Sequence, residues 1–98
     1  ATVVVTNPTH LAVALRYDAE ETPLPVVLAI GEGALAERMM RAAREAGVPV
    51  MQNIPLARAL TEHAEPGQYI PSELVESVAE LLRLLQQMDN GAPDPLPR

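Results

Sequence analysis

Asn7-Pro8-Thr9-His10 is the segment of this 98-residue chain whose residue types and spacing could carry out a reaction. An asparagine carboxamide ordinarily meets the N–H of the next residue, which attacks it and closes a succinimide with loss of ammonia. Pro8 has no N–H, so that route is closed. The opposite attack stays open: the Asn7 carboxamide nitrogen attacks the Asn7 backbone carbonyl, expels the Pro8 nitrogen and cuts the chain between the two. Proline also biases Asn7 toward extended backbone angles, which narrows the search for that geometry. Histidine titrates near neutral pH, so His10 is a candidate to take the amide proton or to protonate the leaving amine. Thr9 offers a hydroxyl and a backbone N–H that could orient the carbonyl or steady a developing oxyanion. Each residue also has a plainer reading. Asn-Pro commonly opens an ordinary turn, Thr9 is a β-branched strand residue, and His10 is a satisfied histidine at a strand end.

The elements around the tetrapeptide would have to hold it. Residues 2–6 are β-branched throughout and read as a strand that Asn7-Pro8 terminates. Residues 11–17 form a second strand, with Leu11, Val13, Leu15 and Tyr17 on one face and Ala12 and Ala14 on the other. Residues 18–25, with three acids and two prolines, are a polar connection. The continuous apolar run 25–30 has the pattern of a strand buried on both faces. Gly31-Glu32-Gly33 turns the chain into a helix over 34–46. Its charged face carries Glu37, Arg38, Arg41, Arg44 and Glu45, and Leu35, Ala36, Met39, Met40, Ala42, Ala43 and Ala46 fill the remainder. Gly47 stops it, and 48–51 is a fourth strand. This βαβ unit predicts parallel strands joined by a right-handed crossover. Pro55 starts a second helix to about Ala64. Pro71 starts a third, with Glu73 and Glu76 near its positive end and a buried stripe of Leu74, Val78, Leu81, Leu82 and Leu85. Asn90-Gly91 ends it. The order β-β-β-α-β-α-α predicts an α/β fold, a small mixed four-stranded sheet flanked by helices. Residues 1–91 form one domain, and the Pro-rich tail 92–98 is expected to be disordered.

Composition excludes several classes of function. There is no cysteine, hence no disulfide, thiolate metal site or thiol nucleophile. The net charge of −6, with seven scattered arginines and no lysine, argues against a nucleic acid partner. No apolar stretch reaches the length of a membrane span. The chain starts at Ala1 without a signal-peptide pattern and reads as a piece cut from a longer protein. Gly31-x-Gly33-x-x-Ala36 mimics a dinucleotide fingerprint. Glu32 puts a negative charge where a pyrophosphate would lie, however, and Gln52 and Asn53 stand where the ribose-binding acid belongs. His63 with Glu62 and Glu65 is a poor metal site, and the four methionines read as core filler. No cofactor or metal is expected.

The tetrapeptide after a valine-rich strand resembles the cytoplasmic domain of the bacterial type III secretion and flagellar export-switch proteins, the FlhB/YscU family. The likeness continues through residues 11–18, 29–36, 47–60 and 70–82, in family order. It implies self-cleavage by asparagine cyclisation, a single turnover with no external substrate. Asn7 would be nucleophile and cleavage point and Pro8 the new N-terminus, with Thr9 and His10 supporting. It also implies that the strand 1–7 stays in place after the cut, and that the cut form helps the apparatus switch export substrates. The implied partners are other export-apparatus proteins, exported substrates and their chaperones, and the needle-length regulator. The parent protein would sit in the bacterial inner membrane with this domain on the cytoplasmic side. Residues 52–58 lean toward a virulence system rather than a flagellar one. One departure is Ile30, where many relatives carry a basic residue. The contrasting reading is a non-cleaving structural adaptor of the same fold in which Asn-Pro is an inert turn.

Overall fold

Five consecutive β-branched residues, Thr2 to Thr6, occupy the interior of the sheet in a computed structural model that describes residues 1–18 and 24–91. The strands are β1 (Thr2–Asn7), β2 (Leu11–Arg16), β3 (Val26–Glu32) and β4 (Val50–Gln52), in the spatial order β3-β2-β1-β4. The helices are α1 (Ala34–Glu45), α2 (Ile54–His63) and α3 (Val75–Gly91), the last preceded by a 3-10 turn at Ser72–Leu74. The mixed four-stranded α/β fold is thus the one the element order predicts. The centre of the acidic connection (19–23) and the Pro-rich tail (92–98) lie outside the described residues.

Strand parity sorts the core into two faces. Val3, Val5, Leu11, Val13 and Leu15 pack with Leu56, Ala57 and Leu60 of α2 and Val78, Leu81 and Leu85 of α3. On the opposite face Val4 and Ala12 meet Ala36, Met40 and Ala43 of α1. Small Ala12 and Ala14 on β2 let α1 approach closely, as the alternation along that strand predicts. The α1 contact is narrower than its composition suggests: Leu35 and Ala42 are exposed, and only Ala36, Met40 and Ala43 are buried.

Two expectations about the strands need correction. The apolar run 25–30 is not a strand buried on both faces. It belongs to β3, which is an edge strand carrying Leu28 at 43% exposure. A bulge explains the pattern: Ala14 pairs with Ala29 but Leu15 pairs with Val27, so Leu28 is the extra residue and Val27 and Ile30 reach the same core face. The strands buried on both faces are the two central ones: Val3, Val4, Val5 and Thr6 of β1 are 0–3% exposed, and Leu11, Ala12 and Val13 of β2 are 0–9% exposed. The second correction concerns the βαβ unit. β3 and β4 run in the same direction, yet they lie at opposite edges, with β2 and β1 inserted between them. β4 pairs in parallel with β1 instead, Val5 opposite Met51. β3 also continues through Gly31 and Glu32, so the turn into α1 falls on Gly33 alone.

Candidate cleavage turn

β1 and β2 form a hairpin whose last ladder pair is Asn7 with Leu11, leaving Pro8, Thr9 and His10 as the connecting turn. The terminus of β1 is held from its other side as well, because the Asn53 N–H donates to the Thr6 carbonyl at 3.0 Å. Asn7 is half-buried, whereas Pro8, Thr9 and His10 are exposed. Packing therefore fixes the strand up to Asn7, and hydrogen bonds shape the turn beyond it.

The bond between Asn7 and Pro8 starts at the Asn7 carbonyl, and the His10 N–H donates to that carbonyl oxygen at 3.0 Å. This is a donor placed where negative charge develops when a nucleophile adds to the carbonyl carbon. The Asn7 side chain is oriented separately. Its Oδ1 accepts from the Thr9 hydroxyl at 3.1 Å and, at the long distance of 3.5 Å, from the Thr9 N–H. Donors on Oδ1 favour the charge that accumulates there when the carboxamide nitrogen gives up a proton. The His10 carbonyl in turn accepts from the Gly33 N–H at 2.9 Å.

The four candidate residues thus occupy one turn with distinct contacts. Thr9 engages the Asn7 side-chain oxygen; the expected contact with the backbone carbonyl belongs to the main-chain N–H of His10 instead. Residue types could not reveal that donor, because every non-proline residue carries the same N–H. Gly33 likewise reads in the sequence only as part of a turn, and its bond to His10 depends on the register of β3 against β2.

Other candidates have structural explanations. Gly31 lies buried inside β3, where an added Cβ would run into the Met39 sulfur and come within 3.2 Å of the Ala36 nitrogen. Close packing of α1 on the sheet accounts for that glycine, with Met39 and Leu35 occupying the space its Cβ would take. The His63 Nε2 lies 3.7 Å from the Glu62 Oε2 on an exposed helix end. Among the described residues no three His, Cys, Asp or Glu side chains cluster to hold a metal ion. Among those residues, too, no helix is long and apolar enough to cross a membrane.

Comparison with known proteins places the chain in a family. Residues 1–85 match the family described as FlhB HrpN YscU SpaS. The flagellar biosynthetic protein FlhB of Yersinia enterocolitica is 48% identical over 88 residues, 90% of this chain and 23% of that protein. The Yop proteins translocation protein U of Yersinia pestis is 45% identical over 89 residues, 91% of this chain and 25% of that protein. The chain therefore spans about a quarter of the length of these curated relatives. Among solved structures, the PscU C-terminal domain is 51% identical with a TM-score of 0.75, covering 80% of this chain and 99% of that one. The cytoplasmic domain of FlhB from Shewanella putrefaciens is 35% identical with a TM-score of 0.79, covering 87% of this chain and 70% of that one. The chain belongs to the FlhB HrpN YscU SpaS family.

Proposed function

We propose, from that membership and from the Asn7 turn, that this is the cytoplasmic domain of a type III export-apparatus protein that cuts itself once between Asn7 and Pro8. The Asn7 Nδ2 loses a proton and bonds to the Asn7 backbone carbon. The bond from that carbon to the Pro8 nitrogen then breaks, and the nitrogen takes up a proton as a secondary amine. The first piece ends in a cyclic imide, which water later opens; the second begins at Pro8. No oxidant, metal or thiol enters the balance. The observation that carries the reading is the hydrogen bonding of Asn7: its carbonyl accepts from the His10 N–H at 3.0 Å and its carboxamide from the Thr9 hydroxyl at 3.1 Å. One turn thereby orients the electrophile and the group that attacks it. The exposed His10 imidazole supplies the proton traffic.

The wider role rests on the relatives. Their names, a flagellar biosynthetic protein and a Yop translocation protein, support export apparatus as the setting, and in this reading the parent chain sits in the inner membrane. In this reading the cut form helps switch which substrates are exported. Its partners are other apparatus components, exported proteins with their chaperones and the needle-length regulator, and strand 1–7 stays seated.

Intact-mass measurement in denaturant tests the reaction. The wild-type chain should give a peptide ending at Asn7 and a piece starting at Pro8. Asn7→Ala, which has no carboxamide, should stay whole. A wild-type chain still uncut after days at neutral pH would leave a non-cleaving adaptor.

A further inference from the structure

We infer that Gly33, outside the tetrapeptide, is a positioning residue for the cut, fastening the cleavage turn with an N–H that only a glycine backbone can present there. The inference rests on the self-cleavage proposed for Asn7 and Pro8. The β2–β3 ladder ends at Leu11 and Glu32, and one bond continues it, from the Gly33 N–H to the His10 carbonyl at 2.9 Å. The N–H of the same His10 donates to the Asn7 carbonyl at 3.0 Å. His10 is therefore tied on both sides of its Cα. The peptide after it is anchored to the junction of sheet and helix, and the peptide before it aims at the carbonyl to be attacked. Peptide planarity leaves little freedom between two such anchors. Pro8, Thr9 and His10 are exposed, so packing cannot substitute for these bonds.

The junction makes an unusual demand on residue 33. Gly33 stands at φ 58°, ψ −127°, a region open to glycine and rarely entered by L-residues. There its N–H finishes the ladder while its carbonyl accepts from the Glu37 N–H at 3.1 Å as the N-cap of α1. An added Cβ would meet nothing within 4 Å, so the backbone conformation alone excludes a side chain. An L-residue relaxing to negative φ must turn its N–H away from His10 or carry α1 off the sheet. Buried Ala36, Met40 and Ala43 resist the second movement, so the N–H is what gives way.

Chemically synthesised chains, refolded from denaturant at neutral pH and followed by intact mass, give the test. Circular dichroism checks that each has folded. Gly33→Ala should slow cutting by roughly tenfold to a hundredfold, the loss expected when a reacting group is misplaced by about an ångström. D-alanine at position 33 accepts positive φ and keeps the N–H, so it should cut within about twofold of wild type. Replacing only the Gly33 amide N–H by an ester oxygen should slow cutting on the order of tenfold, and it decides the matter if L-alanine prevents folding. Gly47 also has positive φ (76°) and open space around its Cβ position, but it follows α1 at the other end. Gly47→Ala should therefore lower stability and leave the rate unchanged. L-alanine and the ester cutting at the wild-type rate, or D-alanine as slow as L-alanine, would overturn the role of Gly33. A wild-type chain that stays whole would instead remove the reaction itself, and this role with it.

Discussion

Asn7 supplies both reacting groups in the proposed cut, and its two oxygens are held by different neighbours. The carbonyl oxygen takes the His10 N–H and Oδ1 takes the Thr9 hydroxyl. Separate substitutions can therefore report on them. Thr9→Val keeps the β-branched shape and removes the hydroxyl; cutting should slow by about tenfold, as for loss of one hydrogen bond to a charged group. Thr9→Ser should stay near wild type, and equal rates for the two would remove the hydroxyl from the mechanism. His10→Ala removes the imidazole but retains the backbone N–H at the carbonyl. It should lose on the order of 10²-fold in rate, the usual contribution of general acid–base catalysis, and flatten the pH–rate profile while some cutting remains. An unchanged profile would exclude the imidazole. The candidate tetrapeptide stands out in the sequence because it is unusual in side-chain chemistry. The division of labour within it does not, because the carbonyl's donor is main chain.

At the scale of elements, the ends of helices and strands are where local chemistry has measurable consequences. Asn53 closes β4's register against β1 through its N–H and caps α2 through Oδ1, which accepts from the Leu56 N–H at 3.1 Å. Asn53→Ala should cost about 1 kcal/mol by denaturant titration, since only the cap is lost. The cutting rate of the folded chain should not change, because the N–H to Thr6 remains. Glu73, at the 3-10 turn before α3, has its carboxyl held below the usual carboxylate range by a backbone hydrogen bond first and by the Ser72 hydroxyl second. A depressed folded-state pKa adds stability that is present above the unfolded-state value and is lost as pH falls through the folded one. An NMR titration should place the Glu73 midpoint below that of the unfolded chain, and Glu73→Gln should erase its part of the acid-side loss. The helix start at Pro55 was legible because proline presets the first turn. The expected start at Pro71 needs correction, because Pro71 is still extended and a 3-10 turn over Ser72–Leu74 precedes α3, which begins at Val75. The edge position of β3 was not legible, because a bulge at Leu28 hides in an unbroken apolar run.

For the whole molecule, the position of β1 would decide the fate of the peptide that the proposed cut separates. The strand lies between β2 and β4, and Val3, Val4 and Val5 are 0–3% exposed. Burying side chains of this kind contributes roughly 1.5–3 kcal/mol apiece, and the ladder bonds to both neighbours add to that. The 1–7 peptide should therefore elute with the rest of the chain in native size exclusion and separate in denaturant. Once cut, folding becomes a two-chain association, so Tm should rise with protein concentration, whereas an uncut Asn7→Ala chain should melt independently of it. Leu60, fully buried between α2 and the sheet, sits in the face that clamps β1. Leu60→Ala should cost about 2–5 kcal/mol in thermal or chemical unfolding, and in the cut molecule it should speed release of the peptide.

The sequence by itself determined which chemistry the segment Asn7 to His10 could carry out, the elements on either side of it and the mixed α/β class. Each of these depends on short-range facts: a proline without an N–H, β-branched runs, a 3.6-residue charge pattern, a proline that begins α2. Only the tertiary structure decided which strands are central, how β1 came to be held on both edges, and that the Gly33 N–H reaches the His10 carbonyl. Those outcomes depend on pairing between residues far apart in the chain, where a bulge or a shift of one residue redirects every side chain and every N–H.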